Sequence, residues 1–485
     1  MSGRLLARAT SRGGVARSAA ANSAARLLAM LGLTAATVLI ARTDGAGAVG
    51  SYALLRILPG LVGVLCVAGL PGALAYFLAP PRSGEERLWS TLIAIAAGGA
   101  MLGCLLWAAG SAAIGGLFFP HAPLATVVAA SLTVPTQLLL TVGKTALQGL
   151  GDRRGGDTVI AAEEIAFLPC YLLAALAGIH DLAGIVLGLA LADLVVAGYA
   201  WRAVARRLGW RRLGLSRDHG WWGRPRADLA RKVTAYGMRG QLGGLITLLN
   251  LRLDFLVLGA MAGPAVLGTY AVASKYAELA RLPGTALTWV TYPRMAALTA
   301  AEAAAHLRRL LRPALVLVAL AVVPLFLLAG PVFRLLYGAA FDSGVRPAQV
   351  LLVGMLLSGA SGVASGYLYG RGRPGLNSLG LGLGLVATVA LDLALIPLYG
   401  ALGAAVASSV AYLLGDAALV FFALRRSGSP IRQQLRGWSR REPASAHRPG
   451  RRPPHLPGRV RLTTSVAGRR NPAVRPAVPG RGHLA

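Results

Sequence analysis

The sequence predicts an all-α integral membrane protein, with about twelve transmembrane helices arranged in two six-helix lobes. Three observations support this prediction: the composition, a long series of apolar runs, and an internal repeat. Hydrophobic residues make up 55% of the chain and charged residues only 14%, with a mean hydropathy of +0.60. Soluble domains carry about 25% charged residues, so this composition is typical of a membrane protein.

Apolar runs long enough to cross a bilayer recur along the chain as far as residue 424. A transmembrane helix needs about 17–25 residues, and we place spans near 24–41, 52–79, 88–109, 122–150, 158–178, 182–205, 233–260, 264–290, 310–329, 347–370, 374–396 and 401–424. The first run follows four arginines, and we interpret it as an uncleaved transmembrane helix. We therefore expect a basic N-terminus at 1–23, a lobe at 24–205, a basic linker at 206–232, a second lobe at 233–424 and a tail at 425–485.

The loop charges predict the orientation of the chain. Arginine and lysine concentrate on one set of alternate connections, above all in the linker 206–232, whereas the opposite set has only Arg42, Arg334 and Arg346. Basic loops stay in the cytoplasm, so both termini are expected there. The net charge of +31 thus follows membrane topology and does not indicate nucleic-acid binding. A GC-rich genome is an alternative source of the arginine excess.

The tail 425–485 is rich in arginine, proline and glycine and contains one acidic residue, Glu442. Such a composition cannot bury a hydrophobic core, so we expect disorder. Its charge suits anionic lipid headgroups, and a cytoplasmic tail with no specific role is the alternative.

An internal repeat indicates that the two lobes are related. GAGAVGSYA at 45–53 aligns with GPAVLGTYA at 263–271 at an offset of 218, and DLAG at 181–184 aligns with GALG at 400–403 at 219. Six spans per half is an even number, so the halves are parallel and related by an axis along the membrane normal. Two such lobes enclose a central cavity. Glycine-rich turns that recur by composition are the alternative explanation.

The sequence has no motif of a nucleotide hydrolase, zinc peptidase or serine hydrolase. GRGRPG at 370–375 lacks the lysine and serine or threonine of a phosphate-binding loop. The cysteines, Cys66, Cys104 and Cys170, are far apart and predict neither a disulfide nor a metal site. We expect a transporter without cofactor, metal or catalytic residue.

Charged residues inside the spans are the candidate functional residues, because such groups face the protein interior or a wet pathway. Four cations form a predicted substrate-binding set: Arg56, Arg252, Lys275 and Arg281. Arg56 lies one residue from the repeat position of Lys275, so equivalent helices present cations at similar depth. A basic patch of this kind suits a diphosphate, to which arginine makes bidentate contacts.

Three carboxylates, Asp254, Glu278 and Asp392, are predicted to couple an ion or to act structurally. Lys275, Glu278 and Arg281 lie three apart, so simple pairing along one helix face is an alternative to a cavity role. Arg252 and Asp254 point about 200° apart on a helix and cannot pair. Asp254 is therefore expected to tether helices, and for Asp254 and Asp392 a coupled proton or sodium ion stays open.

Several segments resemble the polysaccharide-exporter branch of the multidrug/oligosaccharidyl-lipid/polysaccharide (MOP) exporter superfamily. They include GAGAVGSYALL (45–55), the segment 252–297 that begins with RLDFLVLGAMAGPAVLGTYAVASKY, FRLLYGAAF (333–341), and the segment 370–412 that begins with GRGRPGLNSLG; the resemblance covers about 20–425. It implies two six-helix lobes that export an isoprenoid-diphosphate-linked oligosaccharide by alternating access, with cavity cations at Arg56, Arg252, Lys275 and Arg281. The related lipid II flippases usually carry two further helices, which are not apparent after residue 424.

The expected partners are therefore a lipid-linked oligosaccharide and membrane lipids, at a bacterial plasma membrane, with no nucleic acid. Two other functions stay open. A cation-coupled multidrug exporter of the same superfamily would favour a cavity rich in carboxylates and aromatics. A membrane scaffold that recruits glycosyltransferases would depend on the basic tail.

Overall fold

In the computed structural model, residues 12–78, 87–208 and 225–428 are described, and every regular element among them is helical. Much of the predicted basic N-terminus, most of the linker and almost all of the tail lie outside these ranges. In chain order the α-helices are α1 Arg12–Thr43, α2 Gly45–Cys66, α3 Leu70–Phe77, α4 Leu88–Phe118, α5 Leu124–Ala129, α6 Thr133–Gly149, α7 Arg153–Leu176, α8 Asp181–Leu208, α9 Ala227–Glu278, α10 Leu282–Ala297, α11 Ala300–Leu336, α12 Val345–Gly354, α13 Ser358–Gly370 and α14 Pro374–Arg426.

Within the described residues, eight helices are long and apolar enough to cross a membrane, and a ninth if the bent pair Ala339–Gly354 and Ser358–Gly370 forms one span. Leucines along α11 face outward, and Leu335 is 75% exposed. An exposed apolar surface of this kind fits contact with lipid rather than water. The chain is therefore an all-helical, multi-pass membrane protein, as the sequence predicts.

The two longest helices each contain one non-helical glycine. Gly263 interrupts the 52 residues of α9 at φ 83°, and Gly400 interrupts the 53 residues of α14 at φ 53°. A straight helix of that length would be about 80 Å long, far more than the roughly 30 Å of a bilayer core. The predicted spans on either side of these residues end and begin next to the two glycines. The full count of twelve spans stays a prediction.

Paired backbone features support the internal repeat. Gly45 and Gly263 are aligned, and both have positive φ angles, 81° and 83°. Asp181 and Gly400 are aligned as well, at 58° and 53°. In this region of φ a side chain is strained, which suits the glycine present at three of these four positions; Asp181 is the exception.

We call the described residues up to 208 the first half and those from 225 the second half; the two touch at aligned glycines. A Cβ atom added to Gly50 would lie 1.9 Å from the carbonyl oxygen of Pro264, and one added to Gly268 would lie 1.9 Å from that of Ala46. Ala46 aligns with Pro264, and Gly50 aligns with Gly268, so the contact is reciprocal. Gly263 divides α9 into a first arm before it and a second arm after it. Helix α2 and the second arm of α9 can approach this closely only because neither crossing residue has a side chain.

A buried hydrophobic cluster continues across this crossing. Tyr52 and Phe167 from the first half, together with Phe255, Tyr270 and Phe333 from the second, are at most 2% exposed and belong to it. At one end of the same interface, Arg42 donates to the carbonyl oxygens of Leu335 and Leu336, at 2.6 and 3.0 Å. The arginine thus satisfies carbonyls at the end of α11 that have no partner within their own helix.

We expect Gly50→Ala to destabilise the protein by about 1–3 kcal/mol, because the added methyl group forces the two helices apart. The fall should appear as a lower midpoint of thermal unfolding in detergent. Gly47→Ala is the matched control, since a Cβ there has open space. It should leave the midpoint unchanged or raise it, and equal losses in both variants would contradict the close crossing.

Candidate functional site

A bidentate ion pair lies where α2 meets α7. The guanidinium of Arg56 donates to both carboxylate oxygens of Glu164, at 2.5 and 2.6 Å. It also donates to the hydroxyl of Tyr52 at 3.0 Å. Both charged side chains are largely buried, with 23% and 17% exposed. Such fork-to-fork pairs fix both position and orientation of the arginine.

The neighbouring carboxylate takes a different cation. Glu163 accepts from the ammonium of Lys144 on α6 at 2.7 Å. Adjacent residues on a helix point about 100° apart, which is why one acid reaches α2 and the other reaches α6. The two glutamates therefore hold two separate cations.

A second charge cluster is centred on Glu278, at the end of α9. Lys275 lies 2.9 Å from one carboxylate oxygen of Glu278, and Arg252 lies 3.3 Å from the other. The guanidinium of Arg252 also stands 5.1 Å from the centre of the Phe255 ring. Predicted pairing of Lys275 with Glu278 is thus present, and Arg252 joins them from the first arm of α9.

Arg281 lies apart from this cluster's ion pairs. Its guanidinium stands over the ring of Tyr412 on α14, 5.4 Å from the ring centre. A cation over an aromatic face is stabilised by the ring quadrupole. The role of Arg281 in substrate binding stays a prediction. Unlike the other three cations, it does not line the cavity described next.

One cavity of about 180 Å³ lies between the two clusters. Its lining includes Arg56 and Glu164 from the first half, and Arg252 and Lys275 from the second. Three of the four predicted cations thus share one space in the described part of the chain. Together with Glu278, the clusters contain three cations against two carboxylates, which leaves a positive excess.

Arg56 also lines a second cavity of similar volume within the first half. Gln137, Glu163 and Asp193 are among its other lining residues. Asp193 accepts from the hydroxyl of Thr136 at 3.3 Å. Arg56 is therefore accessible from two sides, one lined by first-half residues and one shared between the halves.

Asp254 has the geometry expected of a tether. Its carboxylate accepts from Tyr270 at 2.5 Å, from Ser408 at 3.3 Å and from the backbone N–H of Phe255 at 2.9 Å. The residue is 3% exposed and does not line the shared cavity. These bonds connect both arms of α9 with α14.

Asp392 on α14 is fully buried, and within the described residues neither carboxylate oxygen has a hydrogen-bond partner. An unpartnered buried carboxylate is costly unless it is protonated or holds a cation. No group of three or more side chains suited to a metal occurs in the described ranges. Its predicted role, structural or ion-coupling, stays a prediction.

Two partners were not predicted from the sequence: Glu164, which pairs with Arg56, and Tyr412, which lies under Arg281. Counting charges in the first half offers a signal for the former. The acids Glu163 and Glu164 share α7, and the cations Arg56 and Lys144 lie in other predicted spans of the same half. Because buried charges require partners, these residues predict ion pairs, but Asp193 is a third acid in the same half, and the count does not show which acid holds which cation.

Comparison with known proteins agrees with this fold. The family model described as polysaccharide biosynthesis protein matches residues 188–346, about a third of the chain. Lipid II flippase MurJ in an inward closed conformation superposes with a TM-score of 0.69 at 15% identity, covering 85% of this chain and 89% of that chain. This chain has the fold of the MOP transporters. The resemblance in fold inferred from the sequence is therefore confirmed.

Multidrug transporters share the MOP fold. An inward-facing multidrug resistance MATE family transporter of the MOP superfamily has a TM-score of 0.62 at 14% identity, covering 86% of this chain and 96% of that chain. The multidrug transporter DinF-BH has a TM-score of 0.55 at 13% identity, covering 84% and 95%. A search of curated protein sequences gives no match. At these identities the likeness concerns the fold, and the substrate must be argued from the charges.

Tyr270→Phe removes the shortest hydrogen bond to Asp254, and we expect it to destabilise the protein by about 1.5–3 kcal/mol. Thermal unfolding of the purified variant measures this loss. Tyr52→Phe is the matched control at the aligned position. Its hydroxyl supports Arg56, which keeps both bonds to Glu164, so the loss should be less than half as large. Equal losses would argue against the tether.

Proposed function

We propose that this protein moves an isoprenoid-diphosphate-linked oligosaccharide across the bacterial plasma membrane by alternating access. The observation that carries the proposal is the shared cavity, which Arg56, Arg252 and Lys275 line from both halves. A diphosphate offers several oxygens to such a set, and guanidinium groups bind them in bidentate fashion. The match to a polysaccharide biosynthesis family supports this substrate class.

The size of the cavity supports a carrier that must open. At about 180 Å³ it is smaller than the roughly 300–1,000 Å³ pockets that hold drug-sized ligands. A sugar chain attached to a diphosphate therefore needs the halves to separate. Opening toward the cytoplasm would admit the headgroup, and opening outward would release it. The basic loops support an orientation with both termini in the cytoplasm.

The first test removes cavity cations in a strain whose own copy of the gene is deleted. Arg56→Ala and Arg252→Ala should lower the rate at which the lipid-linked precursor appears on the outer leaflet by about tenfold or more, since each loses a charged hydrogen-bonding group. Arg56→Lys should fall between wild type and alanine, because lysine keeps the charge but not the fork. Accessibility of the precursor to an external glycan-modifying reagent gives the measurement.

Arg346→Ala is the matched control, an exposed arginine at the start of α12 outside the cavity. Its export should equal that of wild type. Membrane levels of each variant are compared by immunoblot, so that failed insertion is not mistaken for failed transport. Full export by both cavity variants would overturn the diphosphate proposal.

A second function, export of cationic drugs, has one observation in its favour. Asp392 is a buried carboxylate without a hydrogen-bond partner in the described residues, and such a group suits a coupling proton or sodium ion. Against this function stands the positive excess of the shared cavity, which repels cationic drugs. A susceptibility panel in an expressing strain distinguishes the two: raised resistance that depends on Asp392 favours drug export, and unchanged susceptibility favours the flippase.

A further inference from the structure

Each cation of the shared cavity is already paired with a carboxylate of its own half. Arg56 on α2 holds Glu164 on α7, and Glu278 on α9 holds both Lys275 and Arg252. In the described ranges, none of these pairs joins the first half to the second. Across the cavity, therefore, two separately paired clusters face each other, and no internal anion bridges their cations.

The carboxylates resemble the group that the cavity is proposed to bind. Glu164 offers two oxygens to one guanidinium, the same fork that a phosphate offers. A cation left unpaired in this interior would cost several kcal/mol, so the empty carrier needs internal anions. A diphosphate that binds the terminal fork of Arg56 must take the place of Glu164, and at Arg252 it competes with the single contact to Glu278.

We propose that Glu164 and Glu278 are resident anions of the empty carrier, which the diphosphate displaces as it binds. This inference rests on the proposed function and adds two positioning residues to it. Once bound, the diphosphate contacts Arg56 from one half and Arg252 from the other, and so it bridges the two halves. On release, the carboxylates recapture their cations and prevent the product from staying bound.

The contact distances indicate the order of exchange. Glu278 has two partners, and its contact with Arg252 is the longer, at 3.3 Å against 2.9 Å for Lys275. Glu278 can thus release Arg252 while it keeps Lys275. Glu164 holds Arg56 by two short bonds and has to release both. Arg252 is therefore the first cation to exchange, and Arg56 is the second.

The test measures binding of inorganic pyrophosphate to the purified full-length protein in lipid nanodiscs by isothermal titration. Glu164→Gln and Glu278→Gln remove the competing charge, so each should bind pyrophosphate about tenfold or more tightly than wild type. In transport assays the same variants should show a lower KM together with a lower kcat, because tighter binding slows release. A purely structural role would lower the unfolding midpoint without tightening binding.

Glu163→Gln is the matched control. It removes the same charge one residue earlier on α7, where the partner is Lys144 and the side chain does not line the shared cavity. Its affinity for pyrophosphate should stay within about threefold of wild type, less than half of a tenfold step in free energy. A gain as large as that of Glu164→Gln would mean that overall charge, rather than exchange at Arg56, sets the affinity.

If Glu164→Gln does not fold, Glu164→Asp keeps the charge but shortens the reach toward Arg56. A weaker internal competitor should still raise the pyrophosphate affinity, by less than glutamine does. Unchanged or weaker binding in folded Glu164 and Glu278 variants would overturn the exchange. If Arg56→Ala and Arg252→Ala bind pyrophosphate as wild type does, or if wild type binds none, the proposed function fails instead.

Discussion

A charge placed among membrane-spanning helices is costly without a partner, and this constraint organises the centre of the molecule. Even on the most lenient scale a charged side chain at mid-bilayer costs about 2.5–3.5 kcal/mol. Glu164 meets this need for Arg56, Glu163 meets it for Lys144, and Glu278 meets it for Lys275 and Arg252. Two of these four pairs join different helices, and the pair of Arg252 with Glu278 joins the parts of α9 before and after Gly263, so they also help to determine which segments lie side by side around the cavity.

Much of this arrangement could be predicted from the sequence where the information is local. The spacing of Lys275 and Glu278 places them on one helix face, and the two-residue step from Arg252 to Asp254 turns them apart. Both expectations agree with the contacts. The partner of Arg56 lies 108 residues away, and no local pattern encodes such a pairing. The orphaned carboxylate of Asp392 also depends on distant packing, because the sequence places a charge in a span without showing what surrounds it.

The helix boundaries illustrate a different limit. Apolar runs separated by Gly263 and Gly400 read as separate spans, and a loop is the ordinary expectation between them. Each glycine instead redirects the chain within a single residue, because its positive φ is accessible without strain. The helix therefore continues at once on the other side, and a count of helices differs from a count of apolar runs.

Similar folds serve a lipid flippase and multidrug transporters, so architecture alone does not identify the cargo. The substrate class depends instead on the side chains around the cavity. Arginine lines the cavity from both halves and lysine from the second, and each half supplies a carboxylate to its own cations. The sign and placement of these charges are properties of a few side chains, which can change while the helices keep their packing.

The reciprocal crossing of Gly50 and Gly268 has a historical consequence. Gly50 faces the carbonyl of Pro264, and Gly268 faces the aligned carbonyl of Ala46. A contact that uses the same surface on both sides is called isologous. A chain that held one copy of the repeat, with that glycine and that carbonyl, would make the same contact with a second copy of itself. Fusion of two such genes would preserve the crossing without any new mutation, and each half could then acquire different charges. The glycine pair is thus the kind of surface through which a homodimeric ancestor would have assembled.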